Sequence, residues 1–200
     1  MADKADELIC DFVGGAVGHR FRSEGGRGQA LAKAVGLKGG KNPHIVDATA
    51  GLGRDAFLLA SLGATVTLIE RNNKMHELLQ SGLLRARDEN NKYKTIIDRM
   101  TLLHGDAKEI IPTLNVEVIL VDPMHPPRQK SALVKKEMRL IRNIVGTDPD
   151  AIELMQVVLK HATNRVVLKW PLFATPIHGI IPPSHQITGK STRYDVFITS

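Results

Sequence analysis

Short runs of β-branched and aliphatic residues alternate along this chain with longer stretches in which apolar residues recur at helical spacing. The runs that predict strands are residues 44–48, 65–70, 100–104, 116–121 and 165–170. Helical spacing is clearest at residues 55–62 and 72–87. Because strands that alternate with helices usually pair in parallel, this order predicts an α/β fold with a doubly wound, Rossmann-like sheet.

The end of the chain departs from this alternation. Residues 185–188 and 194–198 predict two strands separated by a loop that is short enough for a hairpin. The strands of a hairpin run antiparallel. We therefore expect a mostly parallel sheet with a C-terminal antiparallel hairpin.

The length and composition fit one domain. A chain of 200 residues with 42% hydrophobic content can bury one continuous core and has little room for a second. Within a single domain spanning residues 1–200, we distinguish a glycine-rich, basic N-terminal segment, residues 1–43, from an α/β core, residues 44–200. The N-terminal segment contains no P-loop, because the Gly-Lys-Ser/Thr ending is absent.

Several classes of protein are disfavoured. No apolar run approaches the roughly 20 residues that span a bilayer, and the start lacks the layout of a signal peptide, so we expect a cytoplasmic protein without a membrane partner. Cys10 is the only cysteine, and the eight histidines show no metal-ligand spacing, so we predict no metal site. No coiled-coil pattern is present, and we expect a monomer. The formal charge of +6 favours a polyanionic partner such as a nucleic acid.

A glycine turn follows the first predicted strand. Gly51 and Gly53 stand where the backbone can approach a ligand closely, and with Ala56 they also satisfy the loose dinucleotide pattern G-x-G-x-x-A. Glu70 ends the second strand 19 residues after Gly51, where doubly wound folds place an acid that binds ribose hydroxyls. Asp106 follows the third strand and could bind adenine or cap a helix. A nicotinamide cofactor and a turn without any ligand both remain possible on this pattern alone.

The segment after the fourth strand is the most informative. Asp122, Pro123 and His125 lie in a loop that Pro126 and Pro127 stiffen. Asp122 and the Pro123 carbonyl could accept the hydrogens of an exocyclic amine, while the His125 ring could stack on a base. We therefore predict these three residues as catalytic, against the alternative of a proline-rich turn that leaves a core strand.

A basic run follows this loop on a predicted helix. It contains Arg128, Lys130, Lys135, Lys136, Arg139 and Arg142. Such a run is often a solvated helix face, but its position beside the proposed amine site makes contact with phosphates equally plausible. The candidate RNA contacts are Arg128, Lys130, Lys135, Lys136 and Arg139.

Together these segments resemble the bacterial small-subunit ribosomal RNA guanine-N2 methyltransferase J family. The resemblance is carried by residues 47–55, Glu70-Arg71, Asp122-Pro123-Met124 and above all residues 129–139, and it extends from residues 11–20 to residues 193–196. It implies a class I methyltransferase fold, S-adenosylmethionine as donor, and a guanosine near the 3′ end of 16S rRNA in the small ribosomal subunit as acceptor. At position 125 the family pattern has an aromatic Phe, where this chain has His.

The glycine turn, the strand ends and the resemblance together give one set of candidate cofactor residues. They are Asp47, Gly51, Gly53, Arg54, Asp55, Glu70, Arg71, Asp106, Ala107 and Asp122. The reaction that we expect is direct displacement of the sulfonium methyl by the base amine, in which positioning contributes most. The alternatives are an amine methyltransferase acting on another nucleic acid such as DNA, a nicotinamide-dependent oxidoreductase, and a non-catalytic RNA-binding module.

Overall fold

The computed structural model describes residues 8–14, 26–38, 40–124, 136–146 and 148–199. Its strands are β1 (His44–Asp47), β2 (Thr65–Glu70), β3 (Met100–His104), β4 (Val116–Val121), β5 (Ala162–Pro171), β6 (His185–Thr188) and β7 (Thr192–Ile198). Its α-helices are α1 (Ala30–Ala34), α2 (Arg54–Ser61), α3 (Asn73–Glu89), α4 (Asn91–Ile97), α5 (Ala107–Ile110), α6 (Lys136–Val145) and α7 (Ala151–His161). Two short 3₁₀ helices span Gly26–Gly28 and Ile111–Thr113.

The strands form one seven-stranded sheet in the order β3-β2-β1-β4-β5-β7-β6. The first five strands in this order pair in parallel, and β7 pairs antiparallel with both β5 and β6. This confirms the predicted doubly wound sheet with its C-terminal antiparallel hairpin. The order reverses between β1 and β4, and a crevice for ligands is expected at such a reversal.

The central strands are buried on both faces, so their side chains alternate between two apolar layers. On β4, Val118 and Leu120 pack into one layer, while Ile119 and Val121 pack into the other. The first layer also holds apolar residues of α1 to α4 and α6, and the second holds those of α5 and α7. Helices on both faces hold the sheet rigid beneath the site.

The described part of the N-terminal segment packs into the first layer. Cys10 and Phe12 are buried, and the Phe12 ring stacks on Phe57 of α2 with centroids 4.9 Å apart. Phe57 in turn stacks on Tyr93 of α4 at 6.0 Å. These contacts join residues 8–14 to the same core as the α/β unit.

Side-chain caps explain several helix starts. The Asn72 side chain accepts from the Met75 N–H at the start of α3, and Asn90 accepts from two N–H groups at the start of α4. Asp106 caps α5 by accepting from the Lys108 N–H. Sequence periodicity did not predict α1, α4 and α5, because helices of seven residues or fewer show too few turns to establish a period.

β5 begins at Ala162 rather than at the predicted residue 165, because Thr163 and Asn164 are exposed polar residues that concealed its start.

No helix in the described ranges is long and apolar enough to span a bilayer.

Candidate active site

Acidic side chains collect at one edge of the sheet. Asp47 ends β1, Glu70 ends β2, and Asp122 follows β4 directly. Because these strands are parallel and adjacent, their carboxyl ends meet at the same edge. Two cavities open there, and both include Asp122 in their walls.

The first cavity lies between the ends of β1, β2 and β4 and the starts of α5 and α7. Its walls include predicted cofactor residues: Gly51, Glu70, Arg71, Asp106, Ala107 and Asp122. Apolar Ile69, Ala107 and Leu154 also line it and offer a surface for a flat ring. The sequence-based set did not include Thr49, Asp148 and Asp150, which belong to the same walls.

Glu70 connects the second strand to the glycine turn. Its Oε2 accepts from the Gly51 N–H at 2.9 Å, and its Oε1 accepts from the Asn72 N–H at 2.8 Å. Desolvation raises the pKa of Glu70, and these two N–H donors partly offset the rise. Since a carboxylate oxygen accepts more than one hydrogen bond, Glu70 can still bind ribose hydroxyls.

The two glycines of the turn have different surroundings. Gly51 has φ +53° and lines the first cavity, and a Cβ on it would meet only the Thr49 carbonyl oxygen at 3.9 Å. Gly53 has φ +66° and faces the core, where a Cβ would lie 2.7 Å from Leu79 Cδ1. Gly51 therefore provides the open backbone of the cavity, while Gly53 allows α2 to pack closely.

Arg71 forms ion pairs that join two segments at the rim of the first cavity. It forms ion pairs with Asp148 at 2.5 Å and with Asp150 at 2.7 Å. Its hydrogen bond lowers the pKa of Asp150 well below the ordinary range. Asp148 also accepts from the Met124 N–H at 2.6 Å. The loop before α7 is thereby tied to the segment that carries Asp122.

Lys169, near the end of β5, connects two predicted cofactor residues. Its Nζ lies 2.7 Å from Asp55 Oδ2 and 2.6 Å from Asp122 Oδ2. Desolvation lowers the pKa of Lys169, but the two carboxylates outweigh this effect and raise it above the ordinary range. Lys169 is therefore an ammonium group at any physiological pH, and it holds Asp122 in one place.

Asp47 lies next to the charged cluster formed by Asp55, Asp122 and Lys169. Its side chain accepts from the Thr49 N–H at 3.2 Å, and the residue is 3% exposed. Desolvation, with a smaller contribution from Asp55, raises the pKa of Asp47 from 3.8 to about 7. Thr49 Oγ1 accepts from the Asp122 N–H at 2.7 Å, so the β1 turn also orients the backbone at Asp122.

The second cavity adjoins the first on the other side of Asp122. It has a volume of about 260 Å³. Its walls are Asp122, Pro123, Met124, Arg142, Lys169, Trp170, Pro171, Ser191 and Thr192. Asp122 and Met124 therefore belong to the walls of both cavities.

The remaining predicted residues fall into three groups. Asp47, Gly53, Arg54 and Asp55 surround the turn but do not line the first cavity; Arg54 begins α2. His125, Arg128, Lys130 and Lys135 lie outside the described residues, as does the side chain of Lys136. Arg139 is exposed on α6. The roles assigned to all these residues stay predictions.

Sequence reasoning missed Lys169, Asp148 and Asp150. Lys169 carried one available signal, since a lysine near the carboxyl end of a predicted parallel strand reaches the same edge as Asp122. The two aspartates precede a helix in the sequence, and this position does not indicate that they would bind Arg71.

Comparison with known proteins identifies the family. A protein-family model described as "Putative SAM-dependent methyltransferase" matches residues 1–199. A Brucella anthropi protein named ribosomal RNA small subunit methyltransferase J is 68% identical over 200 residues, which are 99% of this chain and 98% of the relative. An Agrobacterium fabrum protein of the same name is 62% identical over 198 residues, 99% of this chain and 95% of the relative. The chain belongs to this methyltransferase family.

A solved structure supports the assignment. The SAM-dependent methyltransferase of Neisseria gonorrhoeae is 36% identical and superposes with a TM-score of 0.76, covering 99% of this chain and 77% of that one. The resemblance, the class I methyltransferase fold and S-adenosylmethionine as cofactor are thereby confirmed. The matches do not favour the nicotinamide-dependent alternative.

The walls of the first cavity have the chemistry that suits S-adenosylmethionine, the cofactor of the methyltransferase family. Glu70 has acceptor capacity for ribose hydroxyls, and Ala107, Ile69 and Leu154 offer apolar contact to an adenine ring. Gly51 and Gly105, both at positive φ, present bare backbone to the same space. Asp122 lies at the end of the cavity that adjoins the second one.

Proposed function

We propose that this methyltransferase transfers a methyl group from S-adenosylmethionine to the exocyclic N2 amine of a guanosine near the 3′ end of 16S rRNA in the small ribosomal subunit. The observation that carries the proposal is the position of Asp122 and Met124 in the walls of both cavities. The relatives named ribosomal RNA small subunit methyltransferase J support the choice of rRNA.

In this proposal, Glu70, Arg71, Asp106 and Ala107 bind the cofactor in the first cavity, with the backbone at Gly51. Bound S-adenosylmethionine supplies an electrophilic sulfonium methyl group. Asp122 and the Pro123 carbonyl accept the hydrogens of the base amine and orient its nitrogen toward that methyl group. With the cofactor bound, the amine nitrogen would form a bond to the methyl carbon as the sulfur–carbon bond breaks, the electron pair of the broken bond would stay on the sulfur of the departing thioether, and the amine would then release a proton to water.

In this mechanism, the positioning of the two reactants accounts for most of the rate enhancement. Well-aligned reactants gain roughly 7–11 kcal/mol from proximity and orientation, so no strong general base is needed. The amine nitrogen gains positive charge as it attacks, and the ionised Asp122 carboxylate stabilises that charge. Lys169 favours this ionised form, while its own charge is balanced by Asp55.

The RNA is expected to lie along the basic run, with Arg128, Lys130, Lys135, Lys136 and Arg139 contacting phosphates. His125 is expected to stack on the target base, as the aromatic residue of the family pattern would. We further propose that residues 1–200 form a single domain that acts as a monomer in the cytoplasm, where ribosomal subunits are found.

The test uses radiolabelled S-adenosylmethionine and small subunits from cells that lack this gene, followed by RNA digestion and identification of the labelled nucleoside. We expect label in N2-methylguanosine. Naked rRNA and a DNA duplex serve as alternative acceptors in parallel reactions. Label in N6-methyladenosine, or in the DNA alone, would refute the proposal.

A further inference from the structure

The turn that follows β5 displays an aromatic side chain to solvent. Phe173 lies in the segment Pro171-Leu172-Phe173-Ala174 and is 86% exposed. No other large apolar side chain among the described residues is as exposed. Burying an aromatic ring is strongly favourable, so a ring in water has most of its apolar area available for contact with a partner.

This turn is held in place by a dense set of hydrogen bonds. Arg193 Nη1 donates to the carbonyls of Pro171, Leu172 and Ala174 at 3.2, 3.1 and 2.7 Å. Trp170 Nε1 donates to the Thr175 carbonyl at 2.9 Å. The Leu172 N–H donates to the Ser191 carbonyl at 3.1 Å, which joins the turn to the β6–β7 loop. Phe173 is therefore presented by a fixed backbone.

The arginine that holds the turn is itself buried. The side chains of Arg193 and its ion-pair partner Asp195 are 7% and 5% exposed. Gln186 also donates to Asp195 at 2.7 Å. Placing a charged pair in the protein interior costs desolvation free energy, and here its hydrogen bonds go to the turn. The sheet thus supports a turn that is held by hydrogen bonds, and the Phe173 side chain on this turn packs on little of the protein.

The turn borders the second cavity. Trp170 and Pro171, just before Phe173, line that cavity together with Asp122. Ser191 of the β6–β7 loop and Thr192 at the start of β7 also line it, and the exposed Lys190 directly precedes them. An exposed aromatic ring and a cation on two joined loops are the elements that bind single-stranded nucleic acid.

We propose that Phe173 stacks on an unpaired base of the rRNA next to the target guanosine, and that Lys190 contacts a neighbouring phosphate. This inference rests on the proposed function and adds to it the site that holds the flanking strand. The target guanosine occupies the second cavity, and the turn fixes the strand that enters it.

The test compares the kinetics of Phe173→Ala, Phe173→Leu and Phe173→Trp with those of the original protein on small-subunit rRNA. Phe173→Ala should raise the KM for RNA by about 5- to 100-fold, because stacking of one base contributes that much to affinity. Phe173→Leu should be nearly as impaired, since it keeps the apolar area but lacks the π-face. Phe173→Trp should retain a KM near the original value. The dissociation constant for S-adenosylmethionine should not change.

Two further measurements identify the contacts. An RNA fragment with 2-aminopurine beside the methylated guanosine should lose fluorescence on binding the original protein, and Phe173→Ala should abolish this quenching. Lys190→Ala should weaken RNA binding. It should also reduce the slope of log K against the logarithm of the salt concentration by about the amount that one phosphate contact contributes. Leu84→Ala is the matched control, because Leu84 is 57% exposed beside β3 at the far edge of the sheet. It should change none of these quantities.

An unchanged KM in Phe173→Ala, or full activity in Phe173→Leu, would overturn the stacking. Either result in a protein that still labels N2-methylguanosine counts against this inference and leaves the proposed function standing. Absence of label with the original protein counts against the proposed function instead.

Discussion

Asp122, which follows β4, contacts groups at the ends of two other strands. Its backbone N–H donates to Thr49 after β1, and its carboxylate binds Lys169 of β5. Sequence position alone placed Asp122 at the site, but it did not reveal these partners, since they lie 73 and 47 residues away. The side chain is 41% exposed, so one part of the carboxylate binds Lys169 while another remains accessible to an amine.

Replacing Asp122 by Ala should reduce kcat for methyl transfer roughly a hundredfold, because the variant loses the acceptor that orients the amine and stabilises its developing charge. RNA affinity, measured by filter binding, should change by much less. Equal activity in the variant and the original protein would refute the role of Asp122. Arg139→Ala offers the opposite comparison, because a phosphate contact should affect RNA affinity more than kcat.

Lys169→Met tests the charge balance around Asp122. Without the ammonium, Asp55 and Asp122 repel each other, and the pKa of Asp122 should rise. The acidic limb of the kcat–pH profile should therefore move to higher pH.

A second substitution separates this effect from a loss of structure. In Lys169→Met/Asp55→Asn the repelling charge is also absent, so the acidic limb should return toward its original position. Lys169→Arg should preserve most of the profile. If the single and double variants share one profile, the ion pairs do not control the ionisation of Asp122.

At the scale of elements, the β1–α2 turn combines two tasks. Gly51 faces the first cavity, and Gly53 faces Leu68, Leu79 and Phe12 in the core. The glycine pattern in the sequence predicted the position of the turn, but it also predicted that both glycines face a ligand. Only the packing of α2 against α3 and the N-terminal segment distinguishes them.

This difference predicts opposite outcomes for two similar substitutions. Gly53→Ala should lower the free energy of unfolding by about 2–4 kcal/mol, because its Cβ would lie 2.7 Å from Leu79 Cδ1 at a φ of +66°. Gly51→Ala should cost about 1–2 kcal/mol from positive φ alone, yet it should weaken S-adenosylmethionine binding. Thermal denaturation and calorimetric titration measure the two effects. A larger stability loss in Gly51→Ala would contradict the assignment.

The rim of the first cavity shows the same dependence on distant segments. Arg71 follows β2, and its partners Asp148 and Asp150 precede α7, more than 70 residues later. Asn72 also donates to the Ile144 carbonyl at the end of α6 at 3.0 Å. The end of β2 therefore binds both α6 and the loop before α7, which border the cavity together with α5.

At the scale of the whole molecule, burial of Asp47 makes stability depend on pH. Its folded pKa of about 7 lies above its ordinary value of 3.8, so the folded state binds this proton more tightly than the unfolded state does. The contribution of Asp47 to stability is therefore complete below about pH 4, and it is lost as the pH rises through 7.

Asp47→Asn should remove this dependence, because an amide accepts from the Thr49 N–H without ionising. The variant should match the original protein at about pH 4 and exceed it by about 1–3 kcal/mol at pH 8 in urea denaturation. The same difference in stability at both pH values would mean that Asp47 does not titrate in this range.

Local residue patterns were sufficient to predict the fold class and the edge of the sheet that carries the site. Runs such as residues 65–70 and 116–121 have the bounds of the observed strands, because β-branched apolar residues bounded by polar ones leave few other structures open. Once these strands are parallel, Glu70 and Asp122 must share an edge.

Only the tertiary structure shows which side chains contact one another at this edge of the sheet. In the folded protein β7 lies between β5 and β6, and Lys169 contacts both Asp55 and Asp122. The buried Arg193 binds the turn on which Phe173 is exposed. Local sequence patterns report periodicity over one element. Ion pairs and packing contacts join residues far apart in the chain, and they form only where the folded core brings those residues within a few ångströms of each other.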